Sequence, residues 1–118
     1  FNTLEELAEA AGFPVGDLTP ALGEVYGTWY DLTAEGDARV NVECAQGIVT
    51  LLKSTVPRVV MGRYDELMTG EREGFLVRSG EQYCGAGWEW EGYAYALTLS
   101  WPVEKEDLLE MIRLAEES

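Results

Sequence analysis

The stretch from Gln82 to Ser118, QYCGAGWEWEGYAYALTLSWPVEKEDLLEMIRLAEES, constrains the fold more than any other part of the chain. It reads as an aromatic β-hairpin running straight into an amphipathic helix. With Glu91-Gly92 as a two-residue turn, Trp90 faces Tyr93, Trp88 faces Tyr95, Ala86 faces Leu97 and Cys84 faces Leu99. Side chains alternate along a strand, so these eight share one face. The opposite face carries Tyr83, Gly85, Gly87, Glu89, Ala94, Ala96, Thr98 and Ser100, mostly small or polar. Cross-strand aromatic pairs add about 0.2–1 kcal/mol each over alanine pairs.

Trp101-Pro102 is expected to end the second strand, because proline donates no hydrogen bond and restricts the residue before it. A helix is expected from about Glu104. Leu108, Met111, Ile112 and Ala115 follow helical spacing, with Leu109 and Leu114 widening the stripe. Glu104, Glu106 and Asp107 lie in its first turn, where the helix dipole favours negative charge. The aromatic face therefore has two readings. As core, it receives the apolar stripe of the helix that follows at once, which is the favoured reading. As a binding platform, it uses Trp88, Trp90, Tyr93 and Tyr95 to stack on a carbohydrate, a peptide or a quaternary amine.

The rest of the chain reads as sheet with one more helix. Residues 1–12 form a short helix, with Thr3 and Glu6 as a capping box, a stripe of Leu4, Leu7, Ala8 and Ala11, and Gly12 closing it. Gly16 to Gly23 reads as loop. Val25 to Leu32 and Ala38 to Cys44 read as strands joined by the turn TAEGD. Ala45-Gln46-Gly47 fits a three-residue hairpin loop, which sets Cys44 against Ile48, Val42 against Thr50 and Val40 against Leu52. Ser54 to Gly70 gives no clear pattern. Phe75 to Val77 reads as a strand leading to a Ser79-Gly80 turn. The expected fold is α+β: an antiparallel sheet of about five to six strands with both helices packed on one face.

A chain of 118 residues, 47% hydrophobic, is sized for one domain with one core. It begins with Phe1 and carries no signal peptide or apolar membrane-length run, so it is expected to be an excised segment of a longer protein. The 22 acidic against 8 basic residues give a net charge of -14, which repels phosphate backbones and anionic lipid and argues against nucleic-acid binding. Cys44 and Cys84 are too far apart in sequence for a redox or zinc motif; buried free thiols and one disulfide between strands both remain open.

The chain holds no histidine, which removes the commonest general base and the commonest zinc ligand. No phosphate-binding loop, dinucleotide fingerprint or EF-hand pattern is present. The expectation is a protein that is not an enzyme and takes no cofactor or metal. Asp65, Glu66, Glu71 and Glu73 could bind a hard cation, although a solvated acidic loop beside Arg58, Arg63, Arg72 and Arg78 explains them as well.

Several motifs together resemble a family of bacterial extracytoplasmic domains of unknown function, found C-terminal to a transmembrane helix in anti-sigma-factor-like, membrane-anchored proteins of Gram-positive bacteria. The matching residues are FNTLEELAEAAGFPV, VYGTWYDL, ARVNVEC, IVTLLK and the ending GWEWEGYAYALTLSWPVEKEDLLEMIRLAEES. That ending is similar to the family's W-x-x-x-G-Y-x-Y…L-x-x-E-E-L-L-K-I-A-E-S. Ser100-Trp101-Pro102, the acidity and the cysteines depart from it. The resemblance implies a non-enzymatic sensor or binding domain in the cell envelope, with an envelope ligand or protein as partner. Membrane attachment would come only through a segment absent from this chain.

Overall fold

The computed structural model describes residues 1–55, 65–68, 70 and 72–117. Helix α1 spans Leu4–Ala11, with the Thr3 hydroxyl accepting the Glu6 backbone N–H at 3.1 Å and Gly12 in the left-handed conformation behind it. The N-terminal strands are β1 (Val25–Leu32), β2 (Ala38–Cys44) and β3 (Gly47–Ser54). The C-terminal strands are β4 (Glu66–Leu67), β5 (Glu73–Ser79), β6 (Gln82–Trp90) and β7 (Tyr93–Val103), followed by helix α2 (Lys105–Glu116).

All seven described strands form one antiparallel sheet in the order β1-β2-β3-β7-β6-β5-β4. The class is the expected α+β; the sheet is one to two strands wider than the hydrophobic pattern indicates, because β4 is only two residues long. Two meanders meet where β3 pairs with β7. Helix α1 packs over β1 and β2, and α2 over β6 and β7. One core joins Leu7 of α1 and Leu108, Met111 and Ile112 of α2 to Val40, Val42, Val49, Leu51, Trp88, Tyr95 and Leu97 of the sheet. Burying each such side chain is worth about 1.5–3 kcal/mol.

The hairpin register at the tip is as expected: Trp90 opposes Tyr93, Trp88 opposes Tyr95 and Ala86 opposes Leu97. Beyond Gly85 it departs. A register shift between Tyr83 and Gly85 sets Tyr83 opposite Val103, so Cys84 does not face Leu99 and Tyr83 turns into the core. Such irregularities move one side chain across the sheet, which alternation alone does not foresee. β7 also continues past Trp101-Pro102 to Val103. Pro102 lies beyond Leu99, the last β7 residue paired with β3, so its missing N–H costs no rung of that ladder.

The β2–β3 loop has two residues, not three: Cys44 opposes Gly47, Val42 opposes Val49 and Val40 opposes Leu51. This one-residue slip puts Val49, Leu51 and Lys53 on the core face and leaves Ile48 exposed. Gly47 allows it. A Cβ there would lie 2.2 Å from the Ser100 hydroxyl, which instead accepts the Ile48 N–H at 2.8 Å. Leu109, expected on the α2 stripe, is 45% exposed, whereas Leu108, Met111, Ile112, Leu114 and Ala115 are buried. Thr19–Ala21, inside the expected loop, forms one turn of 3-10 helix.

Both cysteines are free thiols. β3 and β7 separate β2 from β6, which puts Cys44 and Cys84 about 14 Å apart across the sheet, far beyond disulfide reach. Of the pattern-free stretch from Ser54 to Gly70, residues 56–64 and 69 lie outside the described residues. Among the described residues, no helix is long and apolar enough to cross a membrane.

Candidate functional site

At the tip of the β6–β7 hairpin lies an open recess of about 500 Å³, lined by Glu73, Glu89, Trp90, Glu91, Tyr93 and Ala94. The turn that shapes it uses positive φ at both central residues, 50° at Glu91 and 84° at Gly92, the pattern of a type I′ hairpin. Among the described residues Glu91 is the sole non-glycine residue with positive φ. Holding a glutamate there costs about 1 kcal/mol, against asparagine or glycine.

The four aromatic residues expected at a platform divide into two layers. Trp88 and Tyr95 are 1% and 2% exposed and stack with ring centroids 4.9 Å apart, nearly parallel at 6°. Neither lines the recess; both belong to the core that the helices cover. Trp90 and Tyr93 are half-buried and reach the recess. Each of these two rings already has a cation beside it. The Arg72 guanidinium lies 4.8 Å from the Trp90 ring, and Lys53 Nζ lies 4.2 Å from the Tyr93 ring.

Arg72 ties the recess to α2. It donates from Nε and Nη2 to the two oxygens of Glu116 at 2.7 and 2.5 Å. Glu116 Oε2 also accepts the Trp88 indole N–H at 2.9 Å. With only 6% of its side chain exposed, Glu116 joins both layers of aromatic residues to the end of the helix. A bidentate arginine–carboxylate pair of this kind fixes orientation as well as charge.

Lys53 is 2% exposed, and its ammonium donates to the Pro14 carbonyl at 2.5 Å. Phe13, Tyr93 and Tyr95 surround it, with Nζ 5.4, 4.2 and 5.4 Å from the three ring centroids. No carboxylate pairs with it among the described residues. Burial pushes its pKa below the usual lysine value. Tyr95 is pushed up to about 12 by the same burial, reinforced by the charge of Glu116. Lys53, Arg72 and Glu116 carry the architecture of the site, and sequence reasoning missed all three. The slipped β3 register hid Lys53, which alternation from Val49 and Leu51 would otherwise have placed inside.

The other acidic group is dispersed. Asp65 accepts the Arg78 backbone N–H at 3.0 Å. Glu66 accepts the Tyr83 hydroxyl at 2.8 Å and Lys105 Nζ at 2.7 Å, contacts that hold its carboxyl below the usual range. Glu73 stands at the recess, and Glu71 lies outside the described residues. No group of three or more potential ligands among the described residues could hold a metal ion. No protein-family model, no curated protein and no solved structure matches this chain.

Proposed function

We propose that this chain is a non-enzymatic binding domain that reads a ligand at the tip of its β6–β7 hairpin. In this reading it works in the cell envelope as the extracytoplasmic part of a membrane-anchored, anti-sigma-factor-like protein. The observation that carries the binding reading is the 500 Å³ recess with Trp90 and Tyr93 at its wall. Two part-exposed aromatic rings at the tip of a hairpin offer contact area at low entropic cost. The compartment rests on the motif resemblance alone. A chain without histidine and without an activated nucleophile supports binding over catalysis.

A carbohydrate- or peptide-binding module is the second reading, and it uses the same recess. It works with Trp90 and Tyr93, since the Trp88–Tyr95 stack is buried. Envelope extract passed over the immobilised domain checks both. The expected result is retained material that a Trp90→Ala/Tyr93→Ala variant loses. Equal retention by the variant, or by a protein of matched charge, would sink the tip as the binding site.

A further inference from the structure

Away from the hairpin tip, we propose that the outer edge of β1 pairs with an extended, cationic segment of a partner protein. β1 is the first strand in the sheet order and pairs with β2 alone. Across the β1–β2 turn the Thr33 N–H bonds to the Asp37 carbonyl. Backbone groups alternate in direction along an antiparallel strand, so Trp29 and Asp31 turn theirs toward β2, and Thr28 and Tyr30 turn theirs outward. A donor already sits on this outer row: the Phe1 amino group donates to the Tyr30 carbonyl at 2.9 Å. Among the described residues no strand takes the Thr28 N–H and C=O or the Tyr30 N–H, and these are the groups that an added strand uses.

The edge lacks the usual protection. Sheets blunt their edges with short strands, lysine, proline or bulges. The opposite edge is blunted in this way, because β4 has two residues. β1 has eight, with no lysine or proline. Its one bulge, between Val25 and Gly27, leaves Gly27 to Leu32 in unbroken register with β2. The side chains add an apolar surface. Of seven large hydrophobic residues exposed among the described residues, four lie on β1 or against it: Phe1, Val25, Tyr26 and Trp29. Trp29 is 53% exposed on the sheet face away from the helices. Its ring lies over Gly27, 3.2 Å from where a Cβ would stand. A side chain of an added strand would pack on that ring.

Charge selects the occupant. From Phe1 to the end of β1 the chain carries Glu5, Glu6, Glu9, Asp17, Glu24 and Asp31 and not one lysine or arginine. Asp31 is paired with Arg39, and β1 has no other charged side chain. An added strand therefore meets a neutral row between Glu24 and the acids of α1. That row fits β-forming residues in the middle of the segment and lysine or arginine at its ends. A second copy of the chain would bring the same acids and its own -14 charge to the edge, which opposes self-pairing.

Titration of the 15N-labelled domain with acetyl-Lys-Thr-Val-Thr-Val-Thr-Lys-amide tests this. Two further probes are the same peptide with proline for the central threonine and with glutamate for both lysines. At about 1 mM the first peptide should shift the Thr28 and Tyr30 amides and the Trp29 indole, while the Trp90 indole stays in place. Amide exchange at Thr28 and Tyr30 should slow as the new bonds form. The proline and glutamate peptides should each bind at least about five-fold more weakly. Thr28→Pro removes the N–H from the edge and should weaken binding likewise, with an unmoved Trp88 indole signal showing that the fold is kept. Should that variant not fold, the proline peptide tests the same pairing from the partner's side.

Equal binding of the proline peptide would overturn strand pairing, and equal binding of the glutamate peptide would overturn the cationic partner. Shifts at Trp90 in place of Trp29 would move the peptide to the hairpin tip and leave the edge empty. Sedimentation of the domain alone should show a monomer at about 0.1 mM; a dimer that Thr28→Pro abolishes would give the edge to a second copy and sink the partner segment. No shift along β1 with any peptide at about 10 mM would end the proposal.

Discussion

Glu116 does more than any other single residue to hold the site together. It receives Trp88 from β6 and Arg72 from the start of β5 in one nearly buried carboxylate. Removing one partner of a buried ion pair leaves the other uncompensated, which costs about 3 kcal/mol or more. Urea denaturation of Glu116→Ala should show a loss of that size. Glu116→Gln keeps an acceptor for the indole and should lose about 1–2 kcal/mol. Lys53 and Tyr95 set opposite pH dependences. The lowered folded value of Lys53 means that folding penalises its ammonium. Stability therefore rises with pH through that lowered value up to the unfolded 10.5. Tyr95 stays protonated in the fold to about 12 against 10.0 unfolded, so its contribution is whole below 10.0 and lost as pH climbs toward 12. Thermal melts should show the first slope vanish in Lys53→Met. The second should vanish in Tyr95→Phe, which should sit within about 0.5 kcal/mol of the parent at pH 7, since the hydroxyl has no protein partner among the described residues.

Between elements, the end of α2 is seated on a glycine. A Cβ on Gly16 would lie 2.1 Å from the Leu114 carbonyl oxygen and 2.7 Å from those of Ala115 and Glu117. Backbone atoms cannot yield as a side chain would, so Gly16→Ala should displace the last turn of α2 and cost more than about 2 kcal/mol. The Trp88 indole N–H signal should move as well, because Glu116 rides on that turn; an unmoved signal with unchanged stability would refute the seating. At the other end of the site, the type I′ turn is strained by Glu91. Glu91→Asn should stabilise the hairpin by about 0.5–1 kcal/mol, read as a higher urea midpoint. Its glutamate is thus better explained by what it presents at the rim than by the turn it makes.

For the molecule as a whole, charge dominates. A net -14 on one small domain repels itself in the folded state more than in the expanded chain. Local pairs such as Arg39 with Asp31 and Arg113 with Glu110 and Glu117 are exposed and worth at most about 1 kcal/mol each. Raising sodium chloride from low to about 0.5 M shortens the screening length to under about 5 Å. The melting temperature should therefore rise by about 4 °C, and a fall would show that the surface pairs outweigh the repulsion.

The sequence alone determined the local grammar. The Thr3 cap, the strand from Val25 to Leu32, the pairing of Trp88 with Tyr95 and the α2 stripe from Leu108 to Ala115 were all legible. Each depends on neighbours within a few residues, where spacing and side-chain shape decide. Tertiary structure decided what spacing cannot hold. The β2–β3 register was settled by Ser100, which occupies the space that a side chain on residue 47 would need. The irregularity at Cys84 turned Tyr83 inward. The candidate site needed both. Four aromatic residues in a row on one face became a buried pair and a half-buried pair only when α2 brought Glu116 to the Trp88 indole and to Arg72 beside Trp90. Those contacts join residues far apart in the chain, so their energies exist only once the sheet has closed and the helix has docked.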